Sequence, residues 1–201
     1  MDGTGKTTHA LNAKRAIENS SRKCEYVEFQ YQMSIFMSFF LIRVAWLILG
    51  RKRPVERYVH QNRALTWVWL FSSIFDYAFY VPLKNLSRRR VILLCDRYVT
   101  DTIVRLQFNG IYSETFSKLL LLIAPRPDLI FHLDAPERIA LRRKNEDSLE
   151  YYMKQRKMYK GFLAKSRLNY VTIETSEDLK RTDKMISYYI ESIIDPVKRN
   201  S

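Results

Sequence analysis

The stretch Asp2-Gly3-Thr4-Gly5-Lys6-Thr7-Thr8 stands directly before a helical pattern and decides how the rest of the chain is read. Its glycines let the backbone wrap tightly, so that successive N–H groups point at one anion. The helix that follows adds the partial positive charge of its N-terminus. A lysine at the first helical position and a hydroxyl beside it supply a mobile cation and a hard oxygen donor. Together these residues are built to hold phosphate.

The end of the stretch satisfies the P-loop pattern G-x-x-x-x-G-K-[ST] at Gly5, Lys6 and Thr7. In that pattern Gly3, Thr4, Gly5, Lys6, Thr7 and Thr8 cradle ATP, Lys6 reaches its β- and γ-phosphates, and the Thr7 hydroxyl ligates Mg2+. The alternative is a glycine-rich turn that caps a helix and holds no ligand. Counting back from Gly5 puts the first glycine of the pattern one place before Met1, and the strand that should feed the loop is not seen ahead of it. Either the protein lacks its first strand, or Met1 is an internal methionine of a longer reading frame; the second is expected, because a glycine before Met1 would complete an ordinary P-loop. Without that strand the middle of a sheet would stand unpaired, and poor solubility is expected of the chain as numbered.

The chain has 201 residues, 47% of them apolar and 13% aromatic, which suits one domain with a sizeable core and not a disordered chain. Five glycines and six prolines argue against a many-turned all-β chain. Lys+Arg 34 against Asp+Glu 21 gives a net charge of +13, which points to anionic partners or, more blandly, to a thoroughly solvated charged surface. Cys24 and Cys95 lack metal-ligand spacing and read as two buried free thiols of a reducing compartment, with a cytoplasmic location expected. The three histidines are too scattered for a metal site. Residues 33–50 and 65–83 are apolar, but Arg43 and Asp76 interrupt them; a bilayer span takes about 20 mostly apolar residues, so buried or dimer-facing helices are favoured over membrane insertion.

Periodicity predicts helices and strands in alternation. Residues 6–20 read as a helix with Ala10, Leu11, Ala13, Ala16 and Ile17 on its apolar face, and residues 24–29 as a strand. Two apolar helices follow at 33–49 and 56–81. The run Val91-Ile92-Leu93-Leu94-Cys95 has the look of a fully buried parallel strand ending at Asp96. Helices at 100–108 and 113–123 precede a second such strand at 128–134. Pro136 opens a charged helix, a break near 145–147 leads into an amphipathic helix to Lys165, residues 170–173 form the last strand, and residues 177–194 form a closing helix capped by Ser176. The order predicts a single α/β domain, a P-loop NTPase-type parallel sheet with helices on both faces whose first strand is missing from the chain.

Asp96-Arg97-Tyr98 follows a strand at its carboxyl end, where open α/β sheets place ligands. Arg97 there can fork onto a phosphate, and Asp96 can orient Arg97 or hold a water on magnesium; a structural ion pair at a strand end is the alternative. With these residues the chain resembles the thymidylate kinase family of P-loop nucleoside monophosphate kinases. The resemblance rests on residues 2–8, on Asp96-Arg97-Tyr98, and on Pro127-Asp128-Leu129-Ile130-Phe131-His132-Leu133-Asp134-Ala135-Pro136-Glu137, which matches the family's strand and helix start; it covers most of the chain outside residues 30–83. It implies a five-stranded parallel sheet, a mobile lid, a homodimer packed through the helices after the second strand, and transfer of the ATP γ-phosphoryl group to a nucleoside monophosphate. It gives Asp2 a contact with the acceptor's sugar hydroxyl and Arg97 the acceptor phosphate. Lys6 and Thr7 serve ATP and Mg2+, with Asp96 near the metal. Arg142 and Arg143, beside Lys144, fall where the family's lid begins, and a lid arginine neutralises charge on the transferred group; a solvated basic helix face is the alternative. Tyr159 reads as packing.

The acceptor side departs from the family. Glu28-Phe29-Gln30-Tyr31-Gln32 lacks the usual R-E-P-G-G-T-like turn, Tyr77 stands where an arginine would help hold the nucleotide, and Asp101 replaces a small hydroxyl residue. Aromatic residues of the helix pair, such as Trp46, Trp67 and Phe71, read chiefly as core or dimer interface, and Arg43 and Asp76 are expected to pair or to face the acceptor pocket. Three functions therefore stay open: a thymidylate-kinase-like enzyme making dTDP and ADP from dTMP and ATP, a P-loop kinase for another small molecule, and a nucleotide-binding or regulatory protein without turnover. Nucleic acid and membrane partners rank below these.

Overall fold

A computed structural model of the chain describes residues 4–28, 78, 91–108, 110, 113–143, 148–175 and 178–195. It is a mixed helix and strand structure of the α/β class, with four strands and six helices among those residues. They run α1 (Lys6–Asn19), β1 (Cys24–Glu28), β2 (Ile92–Asp96), α2 (Val99–Phe108), α3 (Glu114–Ile123), β3 (Ile130–Asp134), α4 (Glu137–Arg143), α5 (Leu149–Lys165), β4 (Tyr170–Glu174) and α6 (Leu179–Ile194). The strands pair as β1 with β2 and β3 with β4, both pairs parallel. In the second pair Ile130 stands opposite Tyr170 and Asp134 opposite Glu174. A parallel pair needs a long crossover between its strands, and α4 with α5 provides it for β3 and β4. The described strands thus form two pairs, where the sequence led us to expect one continuous sheet.

The chain divides into two compact units. The first comprises Met1–Tyr26, Val91–Asp96 and Arg126–Ser201, the second Val27–Arg90 and Arg97–Pro125. In the first, α1 packs on α6 and on β2, and α6 on β4. Ala13 and Ile17 of α1, Leu133 of β3, Ile173 of β4, and Ile186 and Ile190 of α6 make one buried cluster, against which Ile92, Leu94, Phe131 and Val171 lie half-buried. Both strand pairs therefore turn alternate side chains toward the same two helices, as the period of two requires. The opposite side of β3 carries His132, whose ring stacks on Tyr159 of α5 with centroids 6.1 Å apart; this strand has helices on both faces, and Tyr159 packs as expected. At the base of the crossover, α4 and α5 close around Ala135, Ala140 and Tyr152.

In the second unit α2 packs on α3. Ser113 caps α3 by accepting the Phe116 N–H at 3.3 Å, and the Tyr98 hydroxyl donates to the Pro125 carbonyl at 2.7 Å. Asp101 accepts the Tyr98 N–H at 3.2 Å, a reach from the third helical residue back to the cap that secures the start of α2.

Several expectations are corrected. The closing helix begins at Leu179 and is capped by Asp178, which accepts the Lys180 N–H at 2.9 Å, not by Ser176; a carboxylate suits the positive helix end. The strand ending at Asp96 is not fully buried: Ile92, Leu93 and Leu94 are half-buried and Cys95 is exposed, because α1 is the described helix packed on it. Cys24 is half-buried, so the two thiols are not both buried. On α1 the buried stripe is His9, Ala13 and Ile17, while Leu11 and Ala16 face outward; the four-residue spacing admits a histidine where the apolar count had placed none. The expected apolar helices at 33–49 and 56–81, with Arg43, Asp76 and Tyr77, fall outside the described residues except for Ala78. No helix among the described residues is long and apolar enough to cross a membrane.

Candidate phosphate-binding site

Gly5 occupies the cap position of α1 at φ 79 and ψ 20, in the left-handed region where a side chain is strained. A Cβ there would also lie 3.3 Å from the ring of His9, a tight approach that the ring would have to relieve by a few tenths of an ångström. Ser113, Ser148 and Asp178 cap α3, α5 and α6 with side-chain oxygens, whereas no side chain caps α1. Thr4 is fully buried at the loop's base, Lys6 is half-buried, and Thr7 and Thr8 are exposed. Asp2 and Gly3 lie outside the described residues.

The structure brings the loop together with the end of β2. The Thr7 hydroxyl donates to Oδ2 of Asp96 at 2.7 Å across 89 residues of sequence. The same oxygen accepts from the Tyr26 hydroxyl of β1 at 2.9 Å. Asp96 is only 4% exposed, and a buried carboxylate needs such donors. A hydroxyl and a carboxylate side by side are hard oxygen ligands, and Mg2+ is held by one or two protein oxygens with phosphate and water completing its shell. The pair Thr7 and Asp96 fits that ion; among the described residues no cluster of three or more His, Cys, Asp or Glu side chains stands as a competing metal site.

Arg97, next after Asp96, is half-buried and has φ 68, a left-handed conformation rare for a residue with a side chain and frequent at functional turns. It turns the chain out of β2 before α2 begins. Arg142 and Arg143 are exposed in the last turn of α4, and Lys144 lies outside the described residues.

A second polar centre stands at the end of β3. Arg156 of α5 forks onto Asp134, Nε to Oδ1 at 2.6 Å and Nη2 to Oδ2 at 2.8 Å, and its Nη1 donates to Glu137 at 2.9 Å. Lys160 adds a contact to Asp134 at 2.8 Å. Burial pushes the Asp134 carboxyl up, but the hydrogen bonds and charges of Arg156 and Lys160 outweigh it and hold the group below the usual carboxylate range. The Arg156 hydrogen bond likewise lowers Glu137. This network fastens the crossover helices to the sheet at the carboxyl end of β3.

The sequence singled out Gly5, Lys6, Thr7 and Asp96, of which Thr7 and Asp96 stand in contact here, and gave no place to Tyr26, to Arg156 or to Asp183 of α6, which lies 2.7 Å from Nδ1 of His9. Tyr26 left a weak signal, a hydroxyl in the middle of a short strand; a lone arginine or aspartate on a charged helix leaves none. Compared with known proteins, the chain matches no family model and no curated sequence.

Proposed function

We propose that the chain is a P-loop kinase: it binds MgATP at Gly3 to Thr8 and transfers the terminal phosphoryl group to a nucleoside monophosphate, with dTMP the first acceptor to try. The observation that carries this reading is the 2.7 Å contact between Thr7 and Asp96. A glycine-rich turn serving only as a helix cap has no need of a buried carboxylate fixed to the hydroxyl that follows its lysine. The left-handed Gly5 at a helix start without a side-chain cap supports the same reading, since phosphate oxygens would do there what serine and aspartate oxygens do at the other helices. Finer than the α/β class, the proposed fold is a P-loop NTPase-type sheet, in which the phosphate loop joins a strand to the helix behind it.

In this reading Lys6 holds the β- and γ-phosphates, and Thr7 with Asp96 positions Mg2+, which supplies charge neutralisation on the phosphates when bound. Arg97 holds the acceptor phosphate, Asp2 the acceptor sugar, and Arg142 or Arg143 spreads the charge on the group in flight. The positions of Arg97 and of the two lid arginines are assigned from the motif alone. The test is ADP release from MgATP with a panel of nucleoside monophosphates, run beside Lys6→Ala. Turnover with dTMP that falls by roughly 10²–10³-fold in Lys6→Ala supports the proposal. Nucleotide binding with no turnover on any acceptor overturns it in favour of a binding protein.

A further inference from the structure

His9 stands one turn past Gly5 and is 2% exposed, yet the phosphate-loop reading gives it no task. A buried imidazole needs a partner, and this one finds it 174 residues away: Nδ1 lies 2.7 Å from Oδ1 of Asp183 in α6. The other oxygen of that carboxylate accepts from Asn12 Nδ2 at 2.8 Å. An ionised carboxylate can only accept, so the proton between them belongs to Nδ1 and the ring has one orientation. Its opposite edge lies under the loop, because a Cβ on Gly5 would meet His9 Cδ2 at 3.3 Å and Nε2 at 3.4 Å.

We infer that His9 is a positioning residue for the phosphate loop, its ring locked by Asp183 as a floor beneath Gly5. The inference rests on the reading of this loop as a nucleotide site. Gly5 holds the left-handed turn from which the first N–H groups of α1 are aimed. A ring that tilts would open or close the space below it, and those groups would be re-aimed. The bond to Asp183 removes that freedom, so the docking of α6 on α1 is coupled to the shape of the nucleotide site. Simple packing would ask only for the ring's volume; positioning asks for the bond.

The two roles separate in the binding of MgATP, measured by titration calorimetry on the unaltered protein, Lys6→Ala, His9→Phe, Asp183→Leu, Asp183→Asn and the double variant His9→Phe/Asp183→Leu, with a melting curve for each. His9→Phe keeps the ring and loses the bond, and is expected to weaken MgATP about tenfold, the lower end for residues that orient the ligands of a site. Asp183→Leu should match it, and the double variant should be no weaker than either, since both remove one interaction. Asp183→Asn keeps an accepting oxygen and should bind nearly as the unaltered protein does. Unchanged binding in His9→Phe while Lys6→Ala binds weakly overturns the positioning role and leaves the loop reading standing. Additive losses in the double variant overturn it too. If the unaltered, folded protein does not bind MgATP, the loop reading itself fails and this inference falls with it. Should Asp183→Leu not fold, His9→Phe against Asp183→Asn decides the question.

Discussion

β3 is covered on both sides, with Leu133 buried beside Ile173 of β4 against α1 and α6 and His132 stacked on Tyr159 of α5, while Tyr170, Thr172 and Glu174 on the other face of β4 are exposed. In the β1/β2 pair, Ile92 and Leu94 stay half-buried, Cys95 is exposed, and α1 is the described helix packed on β2. Each pair nevertheless carries a buried aspartate at the carboxyl end of a strand. Asp134 is taken up by a guanidinium fork and an ammonium group, and nothing about that arrangement asks for a ligand. Asp96 is held by two neutral hydroxyls, which leave its negative charge uncompensated by them. A carboxylate among hydroxyls can exchange part of its shell for a cation, whereas one already forked by arginine has little to gain. In the proposed reading the two pairs divide the labour: one anchors the fold, and the other presents chemistry.

The sharpest way to break that comparison is to empty the core beneath each pair. Ile173 is fully buried, and Ile173→Ala should cost about 3 kcal/mol of unfolding free energy. Ile92 is half-buried, and Ile92→Ala should cost about 1 kcal/mol, since less area leaves water at that site. Denaturant unfolding measures both. Equal losses would mean that the two pairs are equally buried, and the division of labour would fail.

The next largest effect lies at Arg156. Arg156→Leu leaves Asp134, with its side chain 8% exposed, dependent on Lys160 alone, and should cost about 2 kcal/mol near neutral pH, below the range for fully buried pairs because the arginine is partly solvated. The pH dependence has a definite sign. Asp134 and Glu137 both titrate lower in the folded protein than in the unfolded chain, where such groups lie near about 4. Their contribution is therefore complete above the unfolded values and is lost as pH falls through the lower, folded values. Stability measured from pH 7 down to 3 should drop steeply below about pH 4 in the unaltered protein. It should drop less in Arg156→Leu, and parallel curves would refute the network's role.

Short-range signals carried the sequence reading far. Gly5, Lys6 and Thr7 are adjacent and their meaning is local, so the start of α1 was legible. The strands ending at Asp96 and Asp134 were announced by apolar runs, and the ends of α5 and β3 fell where the pattern stopped. What the sequence hid was distance. Thr7 to Asp96, His9 to Asp183 and Arg156 to Asp134 span 89, 174 and 22 residues, and no periodicity links partners that far apart. The burial of a strand is equally a property of what packs on it, which is why Cys95, at the end of an apolar run, was expected inside and is found outside.

The two cysteines offer the smallest perturbation and a direct reading of the less covered pair. Cys24 and Cys95 both lie on it, one on each strand. Burial, followed by the repulsion of Glu18, pushes the Cys24 thiol up to about 11, and its thiolate, the reactive form, is correspondingly scarce near neutral pH. Cys95 is exposed and immediately precedes Asp96. A maleimide reagent at pH 7.5 should therefore modify Cys95 at least about tenfold faster than Cys24, with the labelled positions read by peptide mass spectrometry. In denaturant both should react at similar rates, because the difference belongs to the fold. Equal rates in the native protein would mean that β1 opens as readily as the end of β2 lies exposed. That result would extend the loose character of this pair to β1. Slow labelling of both would show instead that the end of β2 is covered, and the contrast with β3 and β4 would then rest on their ion-pair network alone.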